Sequence, residues 1–172
     1  ARGDLDSLAP RGLAGATVLV VGLGVIGTRM AALLQSLGAE VVGQDPAGLP
    51  NGVSPATDVS TVDLVTLHCS LTPSSRGFAG SALFDELPHH AVVVNTARGA
   101  VLDVEEAVRR VAAGRLRGLA TDVFPQEPYG GLARGAEVEG VLFTPHSAGF
   151  VHDLGQRVAR EVAANLDAWG RG

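Results

Sequence analysis

"ATVLVVGLGVIGTRMAALLQSLGAEVVGQD", Ala16 to Asp45, decides the fold. It opens on a continuous apolar run ending in glycine, the pattern of a strand buried on both faces. After the turn, Ile26, Met30, Leu33, Leu34 and Leu37 recur at helical spacing, and Gly38 stops the helix. The run from Ala39 to Asp45 reads as a second strand. Between first strand and helix, Gly22, Gly24 and Gly27 have the spacing G-x-G-x-x-G. Gly22 permits the tight turn, Gly24 lets the backbone approach a pyrophosphate, and Gly27 lets helix and strand pack closely. The helix N-terminus then offers free N–H groups and a positive dipole end to phosphates. Asp45 follows Gly27 by eighteen residues, at the end of the second strand. A carboxylate there accepts hydrogen bonds from ribose hydroxyls and repels an additional 2′-phosphate. The alternative for Asp45 is a turn aspartate ahead of Pro46. Together with the glycines it points to a dinucleotide.

Working outward, the alternation continues. "VDLVTLHCS" reads as a strand, "SALFDELP" as a short helix and "HAVVVNTA" as a strand. "DVEEAVRRVAAG" reads as a helix that starts at Asp103 and closes at Gly114. "LRGLATDVF" and "GVLFTPH" are two more strands, and "FVHDLGQRVAREVAANLDAWG" is a long final helix. Strands alternating with helices predict right-handed crossovers and an α/β fold with a doubly wound parallel sheet. The stretch between Asp45 and Asp63 holds three prolines and two glycines, so its connection is expected to be short or irregular. Residues 1–14 read as a lead-in or linker, and residues 15–172 as one dinucleotide-binding domain that includes the final helix.

Composition narrows the partners. The chain has 172 residues, enough for one domain with a sizeable core, and 46% of them are hydrophobic. The formal net charge is −5, and no Lys/Arg run forms the clustered basic face that nucleic acid requires. Arg109, Arg110, Arg115 and Arg117 read as a solvated helix end. No apolar run reaches the roughly 18 residues of a membrane span. A single cysteine, Cys69, excludes an internal disulfide and argues against a cysteine-based metal site. The expectation is a soluble, cytoplasmic protein with no metal, no nucleic acid and no membrane partner.

In an open parallel sheet, ligands bind beyond the carboxyl ends of the strands. The residues that fall there are His68 and Cys69, then Thr96, Ala97 and Arg98, then Asp122, then His146. Each has a plainer alternative: Arg98 paired with Asp103, Asp122 capping a turn before Pro125, His68 as a satisfied core histidine, His146 as a packed turn residue. Four polar or charged groups nevertheless converge on one rim. A guanidinium holds a carboxylate in bidentate fashion. A histidine gives up a proton near neutral pH.

The motifs "GLGVIG", "LHCSLTPSSRG", "NTARGAVLD", "DVFPQEP" and "TPHSAG" occur in one order over nearly the whole chain. In this the chain resembles the nucleotide-binding half of the D-2-hydroxyacid dehydrogenases, the family of D-lactate, D-glycerate and D-3-phosphoglycerate dehydrogenases. The resemblance implies a Rossmann-type domain, NAD as cofactor and hydride transfer between NAD(H) and a 2-keto or 2-hydroxy acid. It implies catalytic roles for Arg98 (substrate carboxylate and carbonyl), Glu127 (partner of the histidine) and His146 (general acid). Val25, Ile26, Asp45, Cys69, Thr96 and Ala97 match cofactor contacts, and Asp122 matches a residue near the nicotinamide carboxamide. With Gly22, Gly24, Gly27, His68 and Ala148 of "TPHSAG", these make up the expected cofactor set. It also implies a homodimer.

Two departures stand out. Ser70 occupies a position where the family usually has proline, and no segment here corresponds to the family's substrate domain. The expected active site therefore has one wall, and the isolated chain is expected to bind cofactor but to turn over poorly. Rival readings are a non-catalytic NAD-binding, sensing or assembly module, and half of a two-component enzyme completed by a separate substrate-domain partner.

Overall fold

A computed structural model describes residues 12–131, 135 and 137–169. Most of the expected lead-in, residues 1–14, lies outside these residues. The described strands form one parallel sheet: β1 (Thr17–Val21), β2 (Glu40–Gln44), β3 (Ser54–Pro55), β4 (Leu64–Leu67), β5 (Val92–Asn95), β6 (Gly118–Thr121) and β7 (Val141–Phe143). Their order is β3-β2-β1-β4-β5-β6-β7, seven strands with every pairing parallel. The described helices are α1 (Val25–Ser36), α2 (Ser81–Glu86), α3 (Val104–Ala112) and α4 (Leu154–Trp169), with a 3₁₀ turn at Gly99–Val101.

The alternation of side chains along β1 explains the double winding. Val18 and Val20 face one core with Ala31 and Leu34 of α1. Leu19 and Val21 face the other, with Phe84 of α2 and Val104, Ala107 and Val111 of α3. A strand covered on both faces must be apolar at every position, which is why the pattern reads as a continuous run. The helix ends follow local chemistry. Gly38, at φ 87°, ends α1 with its N–H on the Gln35 carbonyl. Asp103 caps α3 by accepting the Glu106 N–H at 3.0 Å, and Gly114, at φ 66°, closes that helix.

The irregular connection expected after Asp45 holds only β3, a two-residue edge strand carrying Pro55, where a missing N–H costs no ladder bond. The final helix starts at Leu154, four residues later than its sequence pattern suggests. Its apolar residues Val158, Val162, Leu166 and Trp169 are all open to solvent.

Candidate active site

Strand order reverses between β1 and β4, and the turns that leave these two strands meet there. The His68 N–H donates to the Val21 carbonyl at 2.7 Å. Gly22, at φ 87°, packs so tightly on the β4 exit that a Cβ would lie 2.4 Å from the Cys69 nitrogen. A Cβ on Gly27 would lie 1.9 Å from the Gly22 carbonyl oxygen. Around Gly24 a Cβ would meet nothing within 4 Å. The three glycines thus divide as the spacing suggests: two permit close packing, and the middle one faces open space.

That space is a cleft of about 500 Å³ whose lining includes Gly22, Gly24, Asp45, His68 and Cys69, opposite the hydroxyls of Thr72, Ser74 and Ser75. The Asp45 carboxylate braces the glycine turn by accepting the Leu23 N–H at 2.6 Å, and it also accepts the Ala47 N–H at 2.8 Å. It is both the turn aspartate and the wall of the cleft. A second cleft, of about 480 Å³, is lined by Ile26, Thr96, Ala97, Arg98 and Ala148, among others. His68, Cys69 and Ser70 line both clefts and form the ridge between them. Burial pushes the His68 imidazole below its ordinary pKa, and its Nε2 lies 3.0 Å from the Thr66 hydroxyl. Burial pushes the Cys69 thiol up, and the Asp45 charge adds to this. Neither is the group expected to carry the proton.

The turn bearing Arg98 is held from below. Buried Asn95 accepts the Ala97 N–H at 3.0 Å and donates to the Arg98 carbonyl at 3.1 Å. Arg98 is exposed, and its guanidinium donates to the Ala97 carbonyl at 2.6 Å. Asp103, its alternative partner, is instead spent on capping α3.

His146 and Glu127 come together. Nδ1 of His146 lies 2.8 Å from Oε2 of Glu127, whose Oε1 accepts the Phe124 N–H at 3.0 Å. A carboxylate can only accept, so Nδ1 carries the hydrogen of this bond. The hydrogen bond to His146, then that from Phe124, holds the Glu127 carboxyl below the usual range. Phe124 and Tyr129 stack at 4.5 Å between ring centroids, bracing the loop that carries Glu127. Tyr129 also donates to Glu105.

Asp122 is 5% exposed and accepts from the Thr144 hydroxyl, from the Ser147 N–H at 2.8 Å and from the Ala148 N–H at 2.9 Å. It caps no turn before Pro125. Burial works to raise its pKa, and these hydrogen bonds outweigh burial and hold it low. Val25 is exposed at the start of α1, outside both cleft linings.

The family model described as D-isomer specific 2-hydroxyacid dehydrogenase, NAD binding domain, matches residues 3–148. The chain belongs to this family. The D-lactate dehydrogenase kk1H of Curvularia clavata is 30% identical, over 98% of this chain and 54% of that protein. The D-3-phosphoglycerate dehydrogenase 2 of Arabidopsis thaliana is 33% identical, over 88% of this chain and 26% of that protein. Among solved structures, the apo D-lactate dehydrogenase of Escherichia coli superposes with a TM-score of 0.81 at 29% identity, over all of this chain and 57% of that one. A probable 2-hydroxyacid dehydrogenase from Rhizobium etli, in complex with NADP, HEPES and L(+)-tartaric acid, gives 0.82 at 29% identity, over 95% of this chain and 55% of that one. The chain therefore spans about half the length of most of these relatives, or less.

The matched domain is an NAD-binding one, and the residues fit that cofactor. The first turn of α1 has no side-chain cap, so its N–H groups are open to a pyrophosphate beside the bare Gly24. Sequence reasoning missed Thr144 and the hydroxyls of Thr72, Ser74 and Ser75. Thr144 stands in "TPHSAG" and was legible as a hydroxyl beside the histidine, but its partner lies 22 residues away. Among the described residues, no cluster of three His, Cys, Asp or Glu could hold a metal, and no helix is long and apolar enough to cross a membrane.

Proposed function

We propose that the chain is the cofactor-binding half of an NAD-dependent 2-hydroxyacid dehydrogenase, with Arg98, Glu127 and His146 as its catalytic residues. The observation that supports the reading is the His146–Glu127 pair, 2.8 Å apart just beyond β6 and β7, in the sheet whose β5 leads into Arg98. NADH, when bound, supplies the hydride. Arg98 binds the substrate carboxylate and orients the keto group. His146 delivers a proton from Nε2 to the oxygen as it gains charge, and Glu127 stabilises the resulting imidazole geometry through Nδ1. The cofactor set is the one to which the sequence points, Gly22, Gly24, Val25, Ile26, Gly27, Asp45, His68, Cys69, Thr96, Ala97, Asp122 and Ala148. Asp45 selects NAD over NADP.

Residues 15–172 form this domain in the same proposal, with 1–14 as its lead-in. The substrate is a small 2-keto or 2-hydroxy acid, the location cytoplasmic, and the assembly a homodimer. The apolar stripe of α4 supports a further cover, supplied by a substrate domain or a separate partner. The test is NADH oxidation with pyruvate, glyoxylate and hydroxypyruvate, for the chain alone and for the chain joined to a relative's substrate domain. Slow turnover alone and turnover of about 1–1000 per second when joined is the expected result. Tight NADH binding with no turnover in the joined form would leave a non-catalytic NAD-binding module as the reading.

A further inference from the structure

We infer that Asp122 is a positioning residue for His146: its carboxylate holds residues 144–148 in the turn that sets the imidazole against Glu127. The inference rests on the reading of His146 and Glu127 as the acid pair. Its starting point is the backbone. His146 is the one non-glycine residue with positive φ among the described residues, at 54°. Such a conformation persists in a side-chain-bearing residue only where its surroundings over-determine it. Packing does not do so here, because Pro145 through Phe150 are all exposed. Hydrogen bonds do. The turn's own bond runs from the His146 N–H to the Thr144 carbonyl at 3.0 Å.

Asp122 supplies the rest, and it grips the turn on both sides of the histidine. Oδ1 accepts the Thr144 hydroxyl two residues before it and the Ser147 N–H one residue after it, and Oδ2 accepts the Ala148 N–H. Asp122 is itself fixed. It is 5% exposed and follows β6, and its N–H donates to the Asn95 carbonyl at 3.0 Å. The Thr144 N–H in turn donates to the Thr121 carbonyl at 3.1 Å, which ties the start of the turn to the same strand. A buried, anchored acceptor therefore meets three donors of an otherwise exposed turn. A contact to the cofactor, the role that resemblance implies for Asp122, does not require those three bonds.

The charges near His146 allow a test by sign. The Glu127 carboxyl is held low first by its hydrogen bond to His146, then by the Phe124 N–H, whereas the charge of Asp122 works to raise it. Asp122→Asn removes that charge, which alone moves the Glu127 midpoint down. It also places an amide NH₂ against one of the two backbone N–H donors, which loosens the turn and the imidazole and moves the midpoint up. The experiment is a carbon-13 NMR titration of Glu127 in the full chain, with proton shifts of the Ser147 and Ala148 amides. The expected result is a net rise of the Glu127 midpoint toward the ordinary glutamate value of about 4.3, with both amides moving upfield. A net fall, with the amides in place, overturns the inference and leaves Asp122 acting only through its field. If Asp122→Asn does not fold, Thr144→Val keeps the charge and removes one donor. A smaller rise is then expected, and an unmoved midpoint overturns the inference. The readout needs no substrate, so it separates from the reading beneath it. A rise in Glu127 beside full turnover in His146→Ala keeps the clamp and removes the acid role. A fall beside lost turnover does the reverse.

Discussion

After β1 the chain turns through Gly22 and Gly27, both buried, and backbone touches backbone so closely that neither tolerates a methyl group. After β7 it turns through His146, whose side chain is 56% exposed, and a few hydrogen bonds do the holding. Both turns leave one parallel sheet at the same edge. The first is set by steric fit and is complete within the chain. The second presents an imidazole to the outside. A phosphate-binding turn works as a fixed cradle, so rigidity serves it. If His146 is the proton donor proposed above, it must reach a substrate held elsewhere, and an open, hydrogen-bonded turn would serve that.

The difference can be broken most severely at His146. In whatever assembly turns over, His146→Ala is expected to cost roughly 10²–10⁴-fold in turnover, the usual worth of a positioned acid. Calorimetry should show NADH binding nearly unchanged, and urea melts should show stability within about 0.5 kcal/mol, since an exposed side chain supports little packing. A His146→Ala protein that keeps its turnover would make the second turn as structural as the first.

Gly22→Ala should do the opposite. It forces a left-handed backbone on a Cβ-bearing residue, a cost of about 1–2 kcal/mol, and drives that Cβ to 2.4 Å from the Cys69 nitrogen. The expected loss is about 2–4 kcal/mol of stability in urea, with NADH binding weakened in step. A variant of wild-type stability would show that the crossing of the β1 and β4 exits is slack.

These two sites also show what a sequence can carry. Gly22, Gly24 and Gly27 were legible because their spacing is local and their reason is steric. The strand assignments followed for a similar reason: a two-sided core demands unbroken apolar runs, as in Val18 to Val21. The two-residue β3 was not legible, since Ser54 and Pro55 pair only by lying beside β2. The start of α4 at Leu154 was not legible either, because "FVHD" keeps the apolar spacing of a helix. Asp122 was the hardest case. Its position at a strand end marked it, but its partners lie 22 to 26 residues away and two of them are backbone N–H groups, which leave no trace in sequence.

Asp45 sharpens the first half of the comparison. Its carboxylate is oriented by the Leu23 and Ala47 N–H groups and borders the larger cleft. A 2′-phosphate there meets like charge, worth about 1 kcal/mol or somewhat more at 4 Å near water. Calorimetry should find NADH bound about tenfold more tightly than NADPH. Asp45→Ala should narrow that gap and weaken NADH as well, because the brace on Leu23 goes with it. Equal affinity in the wild type would reassign Asp45 to the turn alone.

The smallest expected effect is on pH, and it separates the two turns without any substitution. The glycine turn rests on backbone packing with a single carboxylate, Asp45, bracing it at the Leu23 N–H, whereas the histidine turn hangs on two carboxylates, Asp122 and Glu127, both held below their ordinary values. A carboxyl whose folded pKa lies below its unfolded one adds stability that is fully present above the unfolded value. That stability is lost as the pH falls through the folded one. The unfolded values are about 3.9 for Asp and 4.3 for Glu. Stability from these groups should therefore be complete above about pH 5 and decline on acidification below pH 4. Hydrogen exchange followed from pH 6 to pH 3 should show protection at Ser147 and Ala148 fading, after correction for intrinsic rates, while the amides of β1 and α1 hold theirs. Protonation of Asp122 turns one of its acceptor oxygens into a donor and removes the charge that strengthens the bonds to the other, so its turn should open before the sheet does. Simultaneous loss in both regions would mean that the histidine turn is held by the same packing as the glycine turn, and the contrast between them would fail.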